Sequence, residues 1–249
     1  MKRFAMLAMV LGGALALSGC IQLHSDTVID EDGSGTASLT MSVSTDVAEA
    51  IKEMQAMETG QSEDMDFPMF EDIKKDEIAE AGKDHGVKVA KFEKNVVDGR
   101  QTLEMVLDFE TLEGLSFVMN KAMGGGMGGG YAIFDAGDGN FVLRAHDYGF
   151  PEEPEEEEEA EEETPAEQDP EQMQKQMEVM GKLMASISEL DVSFKITVPG
   201  DIVESNAPAV EGRTSTWAID SSNMMQQDQN TEPEIVFAGK GLKIKPLTE

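Results

Sequence analysis

The stretch Ile21–Val43, IQLHSDTVIDEDGSGTASLTMSV, carries the clearest fold signal of this chain. Its second half, from Thr36 to Val43, alternates small polar residues at even positions with apolar residues at odd positions. Alternation with a period of two is typical of a strand that buries one face. The run DEDGSG in the middle carries the turn residues that join paired strands. The stretch therefore predicts a β-hairpin with one face in the core.

Two later stretches repeat this hairpin pattern around an Asp-Gly pair, which supplies the positive φ angles that a tight primed turn needs. The predicted hairpins are Val87–Val97 with Arg100–Phe109, and Tyr131–Phe134 with Asn140–Ala145. Further strands are predicted near the end of the chain, at Val192–Val198, Thr214–Ile219 and Glu234–Ala238.

Segments with apolar residues at helical spacing separate the hairpins. Four helices are predicted. The first is capped by Thr45 or Asp46, the second covers Phe70–His85 and ends at Gly86, the third follows a cap at Thr111, and the fourth covers Gln172–Leu190. Glu49 is placed for a capping box in the first of them. Hairpins that alternate with helices, without a βαβ rhythm, predict an α+β fold. We expect a mostly antiparallel sheet built from hairpins, with amphipathic helices packed on it.

The N terminus indicates export. Lys2 and Arg3 precede the apolar stretch Phe4–Leu17, whose 14 residues fit a signal peptide and fall short of the roughly 20 that span a bilayer. Two cleavage sites compete: Ala14-Leu15-Ala16 fits ordinary signal peptidase, whereas Leu17-Ser18-Gly19-Cys20 is similar to a bacterial lipobox. The lipobox is favoured because it contains the only cysteine of the chain.

The lipobox implies removal of residues 1–19 and attachment of lipid to Cys20. Two or more acyl chains hold a protein stably on a membrane. Because Ile21 rather than Asp follows the cysteine, the implied location is the periplasmic face of the outer membrane in a cell with two membranes. In a cell with one membrane it is the outer face of the plasma membrane. Cys20 is the one site residue predicted, with no catalytic, cofactor-binding or metal-binding residue beside it.

Charge and composition exclude several classes of function. The chain has 50 Asp and Glu against 19 Lys and Arg, a net charge of −31, so an acidic body repels both nucleic acid and an anionic bilayer. The single cysteine excludes an intramolecular disulfide and multi-cysteine zinc sites. Three histidines lie far apart in the sequence, His24, His85 and His146, and no nucleophile-elbow motif accompanies them. We therefore expect neither an enzyme nor a nucleic-acid partner.

Composition divides the chain into four parts. Residues 1–19 are the signal peptide, and residues 20–146 form the hairpin and helix part of an α+β domain. Residues 147–171 carry fourteen acids, four prolines and no base, which predicts an acidic disordered linker or insertion. Residues 172–249 add a helix and the C-terminal strands that complete the domain.

Metal binding is a lesser alternative at two places. Asp30-x-Asp32-Gly33 is similar to the opening of a calcium loop, but the twelfth position is Met41 inside a strand, so a hairpin turn is favoured. Four methionines fall on one helical face and carry the thioethers that Cu(I) prefers. The same spacing is typical of a stripe that faces the core, and this core interpretation is favoured. The four methionines are Met173, Met177, Met180 and Met184. The glycine-rich run 124–130 lacks the Lys-Ser/Thr of a phosphate loop and predicts a connector.

Both ends of the mature chain resemble the LppM-type bacterial lipoprotein domain. The run Val192–Asp201, VSFKITVPGD, is followed by Ser205-Asn206 and by Thr216–Ile219, TWAI. At the start, Cys20 and a strand precede Asp32-Gly33-Ser34-Gly35 and a strand rich in Thr and Ser. The glycine-rich run and the acidic run depart from the family pattern. The resemblance implies an envelope-anchored domain that binds lipid-like or other envelope components.

These observations leave two expected functions. The first is a lipid-anchored, non-catalytic binding module that takes a lipid-like or other envelope component in an apolar groove lined by the Met-bearing helices. The alternative is a structural or assembly partner that recruits another envelope protein through the acidic linker. Binding of Cu(I) or calcium is the third alternative. The first two functions need no cofactor, and their partners are the membrane, a lipid-like ligand or an envelope protein.

Overall fold

The computed structural model describes residues 21–57, 73–122, 130–149, 177, 179–181, 190–220 and 232–247. The predicted signal peptide, Cys20 and nearly all of the acidic run lie outside the described residues. The predicted helix Gln172–Leu190 is described at 177, 179–181 and 190. The residues at 177 and 179–181 are helical, whereas Leu190 is already in a strand, so the predicted end of the helix is wrong at that residue.

Eleven strands and three longer helices make up the described part of the chain. The strands are β1 (Ile21–Ile29), β2 (Gly35–Ser44), β3 (Val87–Val97), β4 (Arg100–Phe109), β5 (Gly130–Gly137), β6 (Asn140–His146), β7 (Leu190–Thr197), β8 (Ile202–Ser205), β9 (Ala209–Glu211), β10 (Thr214–Asp220) and β11 (Glu234–Ala238). The helices are α1 (Thr45–Met57), α2 (Lys75–Lys83) and α3 (Leu112–Ala122).

The strands form two sheets, one of seven strands in the order β3-β4-β2-β1-β7-β10-β9 and one of four strands in the order β5-β6-β11-β8. All strand pairs in these sheets are antiparallel except β1 with β7, which is parallel and sets His24 beside Ser193. The predicted α+β class with mostly antiparallel strands is confirmed. The division into two sheets, the parallel pair and the short strands β8 and β9 were not predicted.

The three predicted hairpins are present. Asp98 and Gly99 have φ angles of 51° and 72°, and Asp138 and Gly139 have 52° and 78°, as primed turns require. In the first hairpin, the Asp32 carboxylate accepts hydrogen bonds from the Ser34 N–H at 3.1 Å and the Ser34 hydroxyl at 2.6 Å. These bonds lower the pKa of Asp32. The turn interpretation of the calcium-like motif is confirmed.

The helix ends agree with the predictions in part. Thr111 caps α3 as predicted, because its hydroxyl accepts a hydrogen bond from the Gly114 N–H at 3.1 Å. The predicted cap of α1 at Thr45 or Asp46 is wrong: the Ser44 hydroxyl accepts from the Val47 N–H at 3.3 Å. The Thr45 hydroxyl instead donates to the Gly99 carbonyl at 3.1 Å, so it is engaged with the second hairpin.

One hydrophobic core joins the two sheets and the helices α2 and α3. Leu103, Met105 and Leu107 on β4 are at most 1% exposed, and Ile235 and Phe237 of the four-stranded sheet are fully buried. Leu103, Met105 and Leu107 lie on the face of the seven-stranded sheet that we call the inner face. Full burial of a side chain of this size stabilises the fold by about 1.5–3 kcal/mol.

The favoured core interpretation of the methionine stripe is wrong for the two members that are described. Met177 and Met180 are 66% and 50% exposed, whereas Val179 is 1% exposed. Successive helical residues are separated by about 100° around the axis. Since Val179 takes the inward position, Met177 and Met180 turn towards solvent. Met173 and Met184 lie outside the described residues.

Candidate functional site

An apolar cavity of about 110 Å³ lies between the inner face of the seven-stranded sheet and the layer formed by α3, β5 and β6. Side chains from β1, β2, β4 and β7 form its floor. The largest apolar residues of the lining include Leu39, Met105, Leu115, Met119, Leu143 and Phe194. This cavity is the candidate functional site.

Small side chains in the middle of the sheet leave this space. Ser25 stands in register between Leu39 of β2 and Phe194 of β7, and all three line the cavity. Thr27 is likewise paired with Ala37. Protein interiors normally fill such positions to the density of organic crystals. The run of small residues beneath α3 therefore keeps a gap that larger neighbours surround.

Helix α3 covers the cavity with one face. Leu112, Leu115, Ser116 and Met119 follow the i, i+3, i+4, i+7 spacing of an amphipathic helix, and all four line the cavity. Among the described helical residues, Met119 is thus the methionine that fits the predicted Met-lined groove. Met105, the other methionine of the lining, comes from strand β4.

The polar groups of the wall bond to one another. The Tyr131 N–H donates to the Ser116 hydroxyl at 3.3 Å, and the Tyr148 hydroxyl donates to the Tyr131 carbonyl at 2.9 Å. A Cβ on Gly130 would approach the Tyr148 ring to 2.7 Å, so glycine permits this contact. Burial, with a smaller contribution from Glu113, raises the pKa of Tyr148 to about 12. Burial also raises the pKa of Tyr131, so both phenols stay neutral.

The size of the cavity limits what it can bind. An engineered apolar cavity of about 150 Å³ in another protein stays dry and binds benzene. The present cavity is somewhat smaller, but Met119, Tyr131 and Phe194 of its lining are only half-buried, so it is open on their side. Its shape and chemistry suit the end of an acyl chain rather than a whole lipid.

The three histidines, His24, His85 and His146, do not line this cavity. His85 stacks on Phe117 with ring centroids 3.7 Å apart. His146 lies edge-on to Phe134 and Tyr148, at 5.5 and 4.6 Å. These two rings pack against neighbouring aromatic rings. Cys20, the predicted lipid site, lies outside the described residues.

His24 contacts two groups on β7 that lie far from it along the chain. Its Nδ1 lies 2.7 Å from the Ser193 hydroxyl, and its Nε2 lies 3.6 Å from an Asp191 oxygen. The side chains of His24 and Asp191 are 39% and 53% exposed, on the outer face of the sheet away from the cavity. We interpret the cluster as a cross-strand contact between β1 and β7. Within the described ranges, no three His, Cys, Asp or Glu side chains are grouped to hold a metal ion.

The described residues contain no helix that is long and apolar enough to cross a membrane. No family model and no curated protein matches this chain. Among solved structures, it is similar to the folded domain of the LppM protein of Mycobacterium tuberculosis, determined by NMR. The two are 11% identical, the match covers 88% of this chain and 90% of that chain, and the TM-score is 0.39.

Proposed function

We propose that the chain is an exported, lipid-anchored and non-catalytic envelope protein that binds the acyl part of a lipid-like ligand. The cavity beneath α3 is the observation that carries the binding part. The motif Leu17-Ser18-Gly19-Cys20 supports the anchor, with Cys20 as the attachment site. The protein then stands on the periplasmic face of an outer membrane, or on the outer face of the plasma membrane where a cell has one membrane.

The lining supports an acyl ligand through its chemistry. Each ligand methylene that leaves water for the apolar walls contributes about 0.8 kcal/mol to the free energy of binding, and a few methylenes fit the cavity. Ser25 and Thr27 are half-buried hydroxyl residues of the same lining. They are placed to meet the polar part of a ligand whose chain lies deeper. The proposal assigns no bond-breaking step to these residues.

A lipid-recovery experiment tests this function. The mature chain, with Cys20→Ser so that it carries no anchor, is stripped of lipid with organic solvent and incubated with vesicles of phosphatidylethanolamine and phosphatidylglycerol. After reisolation, bound lipid is measured by mass spectrometry. We expect about one lipid per chain, because the site is a single cavity.

A pair of matched variants locates the binding. Ala37→Phe fills the cavity from β2, whereas Ala209→Phe adds the same side chain at an exposed position of β9. We expect the first variant to recover little lipid and the second to recover as much as the parent chain. Equal recovery by both variants, or none by the parent, would refute the cavity as the site.

The assembly alternative depends on the acidic linker, which lies outside the described residues beyond Gly149. It stays a prediction, and removal of residues 150–170 followed by a pull-down of envelope proteins tests it.

A further inference from the structure

We propose that the tip of the β3–β4 hairpin, Val96 to Gly99, rests in the interface of the bilayer that holds the lipid anchor. The inference builds on the proposed attachment at Cys20. It adds a second point of membrane contact, made by the folded domain itself, and thereby an orientation of the domain on the membrane.

The strand register places this tip at the anchored end of the seven-stranded sheet. Ile21 pairs with Val43, Val43 pairs with Gln101, and Gln101 pairs with Val96. Neighbouring strands are about 4.8 Å apart, so Val96 lies roughly 15 Å from Ile21 across three spacings. Because Cys20 directly precedes Ile21, lipid on that residue keeps this end of the sheet beside the bilayer.

The tip presents two apolar side chains to solvent. Val96 and Val97 are 70% and 58% exposed. Since they are consecutive strand residues, they point to opposite sides of the hairpin. An end-on approach to a membrane therefore brings both into the headgroup region, where apolar side chains gain burial.

Hydrogen bonds hold the tip in place. Asp98 and Gly99 form the turn, and the Gly99 carbonyl accepts from the N–H of Thr45 at 2.9 Å and from its hydroxyl at 3.1 Å. These bonds tie the turn to the start of α1. The two valines are thus presented by an ordered element, and contact with the bilayer costs little further ordering.

The charge around the tip also suits a membrane. Within residues 94–100, Lys94 and Arg100 flank the turn against the acid Asp98, in a chain whose net charge is −31. Arg100 also donates to the Ser42 hydroxyl at 2.9 Å, which keeps its guanidinium at this end of the sheet. Basic groups near a membrane surface are attracted to lipid phosphates.

A site-directed fluorescence experiment tests the contact. The lipidated chain is reconstituted on phosphatidylcholine vesicles, and Val97→Cys is labelled with the environment-sensitive dye NBD, since the Cys20 thiol is consumed by the lipid. The matched control is Val28→Cys. Val28 is 41% exposed on the same sheet, roughly 23 Å further along β1 from Ile21.

We expect the label at position 97 to shift to the blue, to become about twofold brighter on vesicles and to be quenched by nitroxide-labelled phospholipid. The label at position 28 should change little. Equal responses at the two positions would overturn the inference. Brightening at position 97 without vesicles, rising with protein concentration, would overturn it as well, because a second copy of the chain would then cover the tip.

Flotation of the vesicles separates this inference from the anchor. A chain that floats with the vesicles but shows no quenching at position 97 refutes the tip contact and leaves the anchor intact. A lipidated preparation that does not float refutes the anchor, and the tip contact falls with it. Circular dichroism of both labelled variants, compared with the parent, confirms that they are folded.

Discussion

The two faces of the seven-stranded sheet are built from the same strands, one residue apart, yet they follow different physical rules. On the inner face, Leu103 and Met105 are buried in the core cluster that also contains residues of α3 and the second sheet. On the outer face, Lys91 pairs with Glu104, and His24 contacts Ser193. The inner contacts remove apolar surface from water, whereas the outer contacts exchange bonds to water for bonds within the protein.

Stability and binding therefore depend on the inner face more than on the outer face. Exposed ion pairs contribute at most about 1 kcal/mol each, because water screens them and two long side chains must be ordered. Lys91 lies between two such partners, Glu104 and Glu93, and both raise its pKa. The inner face carries the core and also the cavity. We therefore expect mutations on the inner face to have much larger effects than mutations on the outer face.

The largest expected effect comes from adjacent residues of β4. Leu103→Ala removes a side chain with 0% exposure, which should lower the free energy of unfolding by about 2–5 kcal/mol. Thr102→Ala, on the outer face, should lower it by less than about 1 kcal/mol. Urea unfolding followed by circular dichroism measures both. Similar losses of unfolding free energy in the two variants would contradict the expected difference between the faces.

A medium effect is expected at Tyr148, whose hydroxyl donates to the Tyr131 carbonyl in the wall of the cavity. Tyr148→Phe loses this hydrogen bond and should cost about 1 kcal/mol at pH 7. Burial raises the pKa of Tyr148 to about 12, above that of an unfolded tyrosine near 10. The parent chain should therefore lose stability as the pH rises from about 10 to 12, and the variant should lack this loss.

Urea midpoints of the parent and of Tyr148→Phe at pH 7 and pH 11 check this prediction. The gap in stability between the two proteins should narrow at the higher pH. A gap that stays constant would mean that the phenol ionises as easily in the folded state as in the unfolded state, and a gap that widens would mean that it ionises more easily in the folded state.

The smallest effect is expected on the outer face, at the hydroxyl that faces His24. Ser193→Ala should change the free energy of unfolding by no more than about 0.5 kcal/mol, because the cluster is open to water. The same urea measurement at pH 7 decides the point. A loss above about 1.5 kcal/mol would show that this cross-strand contact stabilises the sheet as strongly as a buried one.

Local sequence was sufficient to predict the hairpins. The pair Asp98-Gly99 fixes a turn through its positive φ angles, and the alternation on either side fixes which face is buried. The boundaries of β3 and β4 agree with the predicted ones for the same reason. The two strands of such a hairpin and the turn between them span about twenty residues, so one sequence window contains both strands.

Features that depend on distant partners could not be predicted in this way. The contact of His24 with Ser193 joins residues 169 positions apart, and nothing in β1 specifies a parallel neighbour. The short strands β8 and β9 are largely exposed and lack an alternating pattern. The cavity arises because Ser25 and Ala37 meet larger neighbours across strands, so register decides it rather than composition.

The parallel pairing of β1 with β7 has a consequence for the order in which the molecule can be made. In a chain that leaves the export channel N terminus first, β1 emerges at once, but its neighbour arrives only with residues 190–197. Until then one edge of β1 is open, and open edges pair readily with strands of other chains. If the chain is exported as proposed, completion of the sheet centre is a late event, and the open edge of β1 needs shielding until β7 has crossed the membrane.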